Sequence, residues 1–184
     1  MTPGPLDQLL RDLDRHLVED PKGARVARML EGYARSGADW RKYALFEATY
    51  YSRNLVQQCE AYELIVLCWN AGQRSPIHDH SSQRCWMAVL DGEVRETLYH
   101  GAPEAAAGLK PGPVRTFASG SVAYIVDDIG WHRIEPAGAS QAVTLHLYSR
   151  PIRECRVYDE ETRSISSRTL SYHSIGGVPL VAAR

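Results

Sequence analysis

Residues 74–94 read RSPIHDHSSQRCWMAVLDGEV, and this stretch combines metal-ligand side chains with β-rich sequence. His78 and His80 are two positions apart, so on an extended strand their side chains point to the same face and can converge on one ion. Asp91-Gly92 lies between two apolar runs, which is a strong signal for a two-residue hairpin turn. The stretch therefore predicts antiparallel strands around a candidate metal site, although an H-x-H pair alone is weak evidence in a chain with seven histidines.

Short β-rich runs separated by turns continue through the rest of the chain. Turns are expected at Asn70-Ala71-Gly72 and Gly120-Ser121. Such a series, without helices between the strands, predicts an antiparallel sandwich or small barrel over about residues 51–184. The predicted strands are YELIVLCW (62–69), RCWMAVL (84–90), EVRETLY (93–99), VRTFA (114–118), VAYIV (122–126) and AVTLHLYS (142–149).

The first fifty or so residues have a helical pattern instead. Asp20-Pro21 predicts the start of a second helix that ends near Gly37, and Asp39 begins a short third one through Phe46. A length of 184 residues suits a single domain, with these helices covering the barrel. The first helix is predicted by apolar residues at spacings of three and four: Leu6, Leu9, Leu10, Leu13 and Leu17.

The composition excludes several classes of partner. The net charge is −1 and 23% of residues are charged, so no basic excess points to nucleic acid. No segment approaches the roughly 18 apolar residues of a membrane span. The four cysteines form no CxxC pair and are expected to be free thiols. We therefore expect a cytoplasmic monomer without a nucleic-acid or membrane partner.

The run at 142–149 alternates between two kinds of side chain. Thr144, His146 and Tyr148 share one face of the predicted strand, and apolar residues occupy the other. If the apolar face packs on an outer layer, the polar set faces into the barrel, where its members must bond to one another or to a ligand. The alternative is an ordinary strand whose polar side faces water.

The spacing Gly72-x5-His78-x-His80-x4-Cys85-x6-Gly92 resembles the first motif of the cupin superfamily, except that Cys85 stands where the family has glutamate. His132, in DDIGWHRIEP, follows at the place of the second motif. The resemblance implies a small antiparallel cupin barrel, or jelly roll, whose metal ligands are three imidazoles without a carboxylate. Imidazole suits iron, zinc, copper and nickel, so ligand type does not choose the metal. The alternative is that these histidines are unrelated polar residues.

Motifs from Tyr51 to Gly177 resemble those of the cysteine dioxygenases, the thiol dioxygenase branch of the cupins. They are YSRNLV, LCW, SPIHDH, Cys85, GEVRETLY, IGWHRIE, LHLYS and SYHS. The resemblance implies Fe2+ held by His78, His80 and His132, with Arg53 binding the substrate carboxylate beside Tyr51. It also implies catalytic roles for the remaining site residues, Tyr148, His146 and Cys85.

Cys85 would have a role other than metal ligation. It matches the cysteine that, in some members of this family, is joined to the active-site tyrosine by a thioether. The resemblance thus implies a covalent Cys85–Tyr148 crosslink. Two positions differ from the pattern of the cysteine-specific enzymes: Arg150 separates Ser149 from Pro151, and Leu170 replaces a methionine.

The implied reaction oxidises the thiol of L-cysteine to cysteine sulfinic acid with O2, as in cysteine catabolism. Another small thiol acid such as 3-mercaptopropionate is the first alternative; relatives that use it often carry glutamine at the position of Arg53, so arginine favours cysteine. A non-oxidative metal cupin, either an isomerase or a small-acid binder, is the second alternative and would consume no oxygen.

Overall fold

The computed structural model describes residues 3–20, 23–105 and 107–180, with two helices and a short 3-10 helix ahead of a series of strands. No helix in these ranges is long and apolar enough to cross a membrane. The helices are α1 Pro5–His16, α2 Ala24–Ser36 and the 3-10 helix Asp39–Tyr43. The strands are β1 Ser52–Gln58, β2 Glu63–Trp69, β3 Ile77–His78, β4 Cys85–Asp91, β5 Glu93–His100, β6 Lys110–Ala118, β7 Val122–Ile125, β8 Trp131–Pro136, β9 Ala142–Tyr148, β10 Glu154–Asp159, β11 Ser164–Thr169, β12 Ser174–Ile175 and β13 Val178–Pro179.

The strands form two sheets that enclose a core. The order is β13-β12-β1-β2-β9-β4-β7 in one sheet and β11-β10-β3-β8-β5-β6 in the other. Neighbouring strands are antiparallel except for β1 and β12. Apolar residues of both sheets, such as Leu67 on β2 and Ile134 on β8, pack together between them. This is the double-stranded β-helix of the cupins with an N-terminal helical segment, so the predicted fold class is confirmed.

The helices cover the outer face of the seven-stranded sheet. Leu9 and Leu13 of α1 and Leu30 of α2 pack in one cluster with Leu64 and Leu145 from the sheet. Burial of the α1 leucines is what the three- and four-residue spacing predicts, because that spacing places them on one helix face.

The helix boundaries differ slightly from those predicted. The Asp20 carboxylate accepts hydrogen bonds from the backbone N–H groups of Arg25 and Val26 and so satisfies free donors at the start of α2. Pro21 lies outside the described residues. The predicted third helix is a 3-10 helix that ends at Tyr43 and does not continue through Phe46.

The prediction of a hairpin at Asp91-Gly92 is wrong. β4 lies in the seven-stranded sheet and β5 in the six-stranded one, so the dipeptide is a corner where the chain changes sheets. Gly92 has a φ of 71°, and a Cβ there would lie 2.5 Å from the backbone oxygen of Gln141. The Asp-Gly signature reports a need for positive φ, which a tight corner shares with a hairpin turn. It carries no information about which strands pair.

Candidate metal centre

Three histidines meet inside the barrel. His78 lies on β3, His80 follows it by two residues, and His132 on β8 is the cross-strand partner of His78. Each offers one ring nitrogen, and these atoms all lie within 4.8 Å of one another. The ring centroids are 4.6 to 5.1 Å apart. This spacing allows all three imidazoles to bind a single ion.

Acidic side chains hold the segment that carries the first two histidines. Asp127 accepts hydrogen bonds from the backbone N–H groups of His80 (2.7 Å) and Ser82 (2.6 Å). Asp79, which is buried, accepts a 2.6 Å bond from the Nε of Arg156 on β10. Because β3 has only two residues, these contacts do the positioning that a longer strand would otherwise do. Sequence reasoning missed both carboxylates, and no local pattern marks them.

The hydrogen bonds of the rings suit metal binding. His78 Nδ1 lies 3.0 Å from the carbonyl oxygen of Pro76, which can only accept, so its proton sits on Nδ1 and Nε2 keeps a free lone pair. His80 Nδ1 is buried without a partner among the described residues. Burial, aided by the neighbouring imidazoles, lowers the pKa of His80 and of His132 well below the ordinary value. Neutral imidazoles are the form that metals bind, so these residues fit a metal ion.

A buried carboxylate is hydrogen-bonded to one of the three rings. Glu96 on β5 is 3% exposed, and its Oε1 lies 2.7 Å from His132 Nδ1. This contact fixes the His132 tautomer with its proton on Nδ1 and leaves Nε2 for a metal. The expectation of three imidazoles as ligands stands, but the site is not without an anionic side chain. The signal was available, because Glu96 alternates with exposed residues of β5 and shares the inner face with the buried Val94 and Leu98.

Replacing Glu96 with glutamine is expected to weaken Fe2+ binding about 10- to 100-fold, since it removes the carboxylate that orients His132. The measurement is an anaerobic competition titration against a chelator of known affinity. Glu93→Gln, an exposed position on the same strand, is the matched control and should bind iron as the wild type does. Equal iron affinity in the two variants would show that Glu96 does not orient the ligand.

The polar residues of β9 face inward, as the alternation predicts. Trp69 Nε1 donates to Thr144 Oγ1 at 2.9 Å, and this oxygen lies 3.0 Å from His146 Nε2. His146 Nδ1 is in turn 3.8 Å from the Cys85 sulfur. Cys85 on β4 is the direct cross-strand neighbour of Tyr148. Among the described residues, these contacts therefore connect Trp69 to Cys85 through Thr144 and His146. Cys85 in turn lies beside Tyr148 on the neighbouring strand.

Arg53 brings a buried cation to the same cavity. It lies within β1, a strand that was not among those predicted, and its neighbours Ser52 and Asn54 are also buried. Its Nη2 donates to Glu63 Oε1 at 3.3 Å, while its Nε has no partner among the described residues. Burial alone would lower the pKa of Arg53, but the phenols of Tyr148 and Tyr51 and the Glu63 carboxyl outweigh it and raise that pKa. The guanidinium therefore stays charged, and its Nε–H remains available to a ligand.

One cavity is lined by six of the residues that the sequence singled out: Tyr51, Arg53, His78, His132, His146 and Tyr148. Tyr51 stacks on Trp69 with ring centroids 4.5 Å apart. The Cys85 sulfur lies 3.8 Å from His146 Nδ1. His80 is the third member of the histidine cluster. The cavity is lined by Tyr51, Arg53, Leu67, Trp69, Ser75, Pro76, His78, His132, Ile134, His146, Tyr148, Ile152, Cys155, Arg168 and Leu170. Arg168 and Ile152 are among the lining residues that the sequence did not single out.

Comparisons with known proteins identify a matching family and similar chains. The family model described as Cysteine dioxygenase type I matches residues 1–161. Cysteine dioxygenase type 1 of Rattus norvegicus is 35% identical over 181 residues, which cover 97% of this chain and 90% of the relative. The Homo sapiens protein of that name is 33% identical with the same coverage. A crystal structure from Thermus thermophilus is similar in fold, with a TM-score of 0.50 and 19% identity over 61% of this chain and 95% of that one.

Proposed function

The chain belongs to the cysteine dioxygenase type I family of enzymes, and from this premise we propose that it oxidises L-cysteine to cysteine sulfinic acid with O2 and Fe2+. One observation carries the proposal: a buried arginine with an unpaired donor lines the same cavity as the histidine cluster. That combination suits a small molecule with a carboxylate at one end and a metal-binding thiol at the other.

The histidines would bind the metal, and the arginine would bind the substrate carboxylate. Ferrous iron held by His78, His80 and His132 would supply the unpaired electrons that let O2 react with a closed-shell thiolate. Arg53 binds the carboxylate and holds the sulfur in a fixed place, which is a proximity effect. Oxidation of a thiol to a sulfinate releases the four electrons that O2 takes up, so the reaction needs no external reductant.

Tyr148 holds a proton at the wall of the cavity. Burial raises its pKa well above the ordinary value, so the phenol keeps its hydrogen and can donate it to the reacting atoms. The contacts that connect Trp69, Thr144 and His146 join the strand on which Tyr148 lies to β2. The packed ring also keeps water from the reacting sulfur.

Tyr148→Phe is expected to lower the rate of cysteine-dependent O2 uptake about 100-fold, because it removes this proton donor, with iron content unchanged. Elemental analysis and an oxygen electrode measure the two quantities. Tyr124→Phe, at a partly exposed tyrosine on β7, is the control and should keep full activity. Normal turnover in Tyr148→Phe would remove the phenol from the mechanism.

The Cys85–Tyr148 thioether is proposed from the adjacency of the two residues on β4 and β9. Its formation replaces the S–H bond and one ring C–H bond, and the two electrons and two protons pass to O2. The intact mass of the iron-loaded protein should fall by roughly 2 Da after turnover with cysteine. Cys85→Ala should show no such loss. An unmodified mass in the wild type under every turnover condition would contradict the crosslink.

A second thiol acid is also supported by the cavity. Its wall, in the described part of the chain, contains no aspartate or glutamate that could pair with the ammonium group of cysteine. An amine-free thiol acid such as 3-mercaptopropionate would therefore meet the same binding groups. Leu170, one of the two departures from the cysteine-specific pattern, also lines this wall.

The test is O2 uptake by the iron-loaded protein with cysteine and, separately, with 3-mercaptopropionate. We expect a higher kcat/KM with cysteine and a sulfinate product that carries both atoms of labelled O2 by mass spectrometry. Faster turnover of 3-mercaptopropionate would reassign the substrate. If neither thiol causes O2 uptake, the proposal fails, and a non-oxidative metal cupin takes its place.

A further inference from the structure

Glu63, the first residue of β2, is a carboxylate inside the protein that the proposed reaction does not use. Its side chain is 0% exposed. Oε1 accepts the 3.3 Å bond from Arg53 Nη2, and Oε2 accepts a 2.9 Å bond from the backbone N–H of Ile152. In the sheet, Glu63 is the direct cross-strand neighbour of Tyr148. The carboxylate thus lies behind the arginine that would bind substrate.

The ion pair balances charge without using all the donors of the guanidinium. A buried guanidinium with no counter-charge is strongly unfavourable, and Glu63 is the carboxylate paired with Arg53 among the described residues. The contact is a single bond of 3.3 Å, which is longer than the usual length of charge-assisted bonds, about 2.7 to 2.9 Å. Arg53 Nε remains buried and unpaired within the described part of the chain. The cation is therefore neutralised but incompletely bonded.

We propose that Glu63 is the internal counter-ion of Arg53: it balances the guanidinium charge before substrate binds and competes there with the substrate carboxylate. Glu63 therefore limits how tightly carboxylate-bearing thiols bind. This inference rests on the proposed role of Arg53 as the carboxylate-binding residue. Glu63 acts through Arg53 and touches no reacting atom, so it is a positioning and affinity-setting residue.

The sign of the effect separates this role from a structural one. Glu63→Gln keeps the size of the side chain and an oxygen for the Ile152 N–H, but it removes the negative charge. Arg53 would then lack a counter-charge until a ligand carboxylate arrives, so acids would bind more tightly than they do to the wild type. If Glu63 only tied β2 to Ile152, its loss would loosen the site and weaken binding.

The experiment compares iron-loaded wild type and Glu63→Gln by anaerobic calorimetry with cysteine, 3-mercaptopropionate and cysteamine, which keeps the thiol and amine but lacks the carboxylate. We expect Glu63→Gln to bind both acids about tenfold more tightly and cysteamine within about twofold of wild type. In turnover, KM for cysteine should fall while kcat changes little. Unchanged or weaker acid binding, or an equal gain for cysteamine, would overturn the inference.

Two further variants keep the result interpretable. Glu135→Gln removes a carboxylate from the surface pair with Arg95 (2.7 Å) and should leave all three affinities unchanged. If Glu63→Gln is too unstable to purify, Arg53→Gln/Glu63→Gln should be recovered, because it removes both charges. Failure of both to fold would show that the protein needs the Glu63 carboxylate for a reason other than the charge of Arg53, and it would overturn the inference.

The wild-type data alone test the underlying premise. If wild type binds the two acids no better than cysteamine, Arg53 does not bind the carboxylate, and both the inference and that part of the proposed function fail. If wild type prefers the acids and Glu63→Gln shows no gain, the inference alone fails.

Discussion

His80→Ala is expected to lose iron and, with it, all measurable cysteine-dependent O2 uptake. His80 is buried, and its ring lies within 5.1 Å of the His78 and His132 rings by centroid distance. Loss of one of three protein ligands should weaken iron binding by more than about 100-fold, since even a supporting residue contributes roughly 10- to 100-fold. Elemental analysis after desalting and an oxygen electrode measure the two effects.

His100→Ala is the matched control for this variant. His100 is an exposed histidine at the end of β5, so its loss should change neither iron content nor activity. If His80→Ala retains a full equivalent of iron with an affinity like that of wild type, the three-histidine site is not where the metal binds, and the proposed function loses its basis.

Arg53→Ala is expected to raise the KM for cysteine about 100-fold, because a charge-assisted contact to a carboxylate contributes roughly 1.5 to 3 kcal/mol. Iron content should stay at the wild-type level, since Arg53 is not a metal ligand. Steady-state kinetics with cysteine, alongside elemental analysis, measure both quantities. A thermal melt is also needed, because the substitution leaves Glu63 buried without its cation.

Arg53→Lys distinguishes charge from geometry. Lysine keeps the positive charge but lacks the planar guanidinium, so it should recover only part of the lost affinity. A KM that is unaltered in Arg53→Ala would show that the carboxylate binds elsewhere, and it would also remove the premise of the role inferred for Glu63.

The two periodicities in the chain predicted the buried faces of α1 and β9, although β1, β8 and the strands from β10 onward were not among those predicted. The leucines of α1 and the alternation on β9 point inward as expected, because 3.6 and 2 residues per repeat follow from backbone geometry alone. The same alternation places Glu96 on the inner face of β5, where buried and exposed residues take turns. Nothing in that local pattern, however, identifies His132 as its partner.

Strand pairing, in contrast, could not be predicted from local patterns. The turn at Asp91-Gly92 is where the chain passes from one sheet to the other, and nothing in the dipeptide distinguishes that corner from a hairpin. Turn residues report local backbone angles, whereas pairing depends on which distant strand completes the ladder. β3 ends at His78, so His80 lies beyond the extended strand on which the two-residue spacing would place both histidines.

What the sequence by itself determined is the set of groups available for chemistry: spaced histidines, a cysteine in place of a ligand glutamate, and an alternating polar strand. Only the tertiary structure decided which of them touch. Glu96 meets His132 from 36 residues away, Ile152 meets Glu63 from 89, and Cys85 faces Tyr148 across two strands. Local patterns arise from the geometry of one segment, but these contacts arise from the register between strands, which the packing of the whole barrel sets.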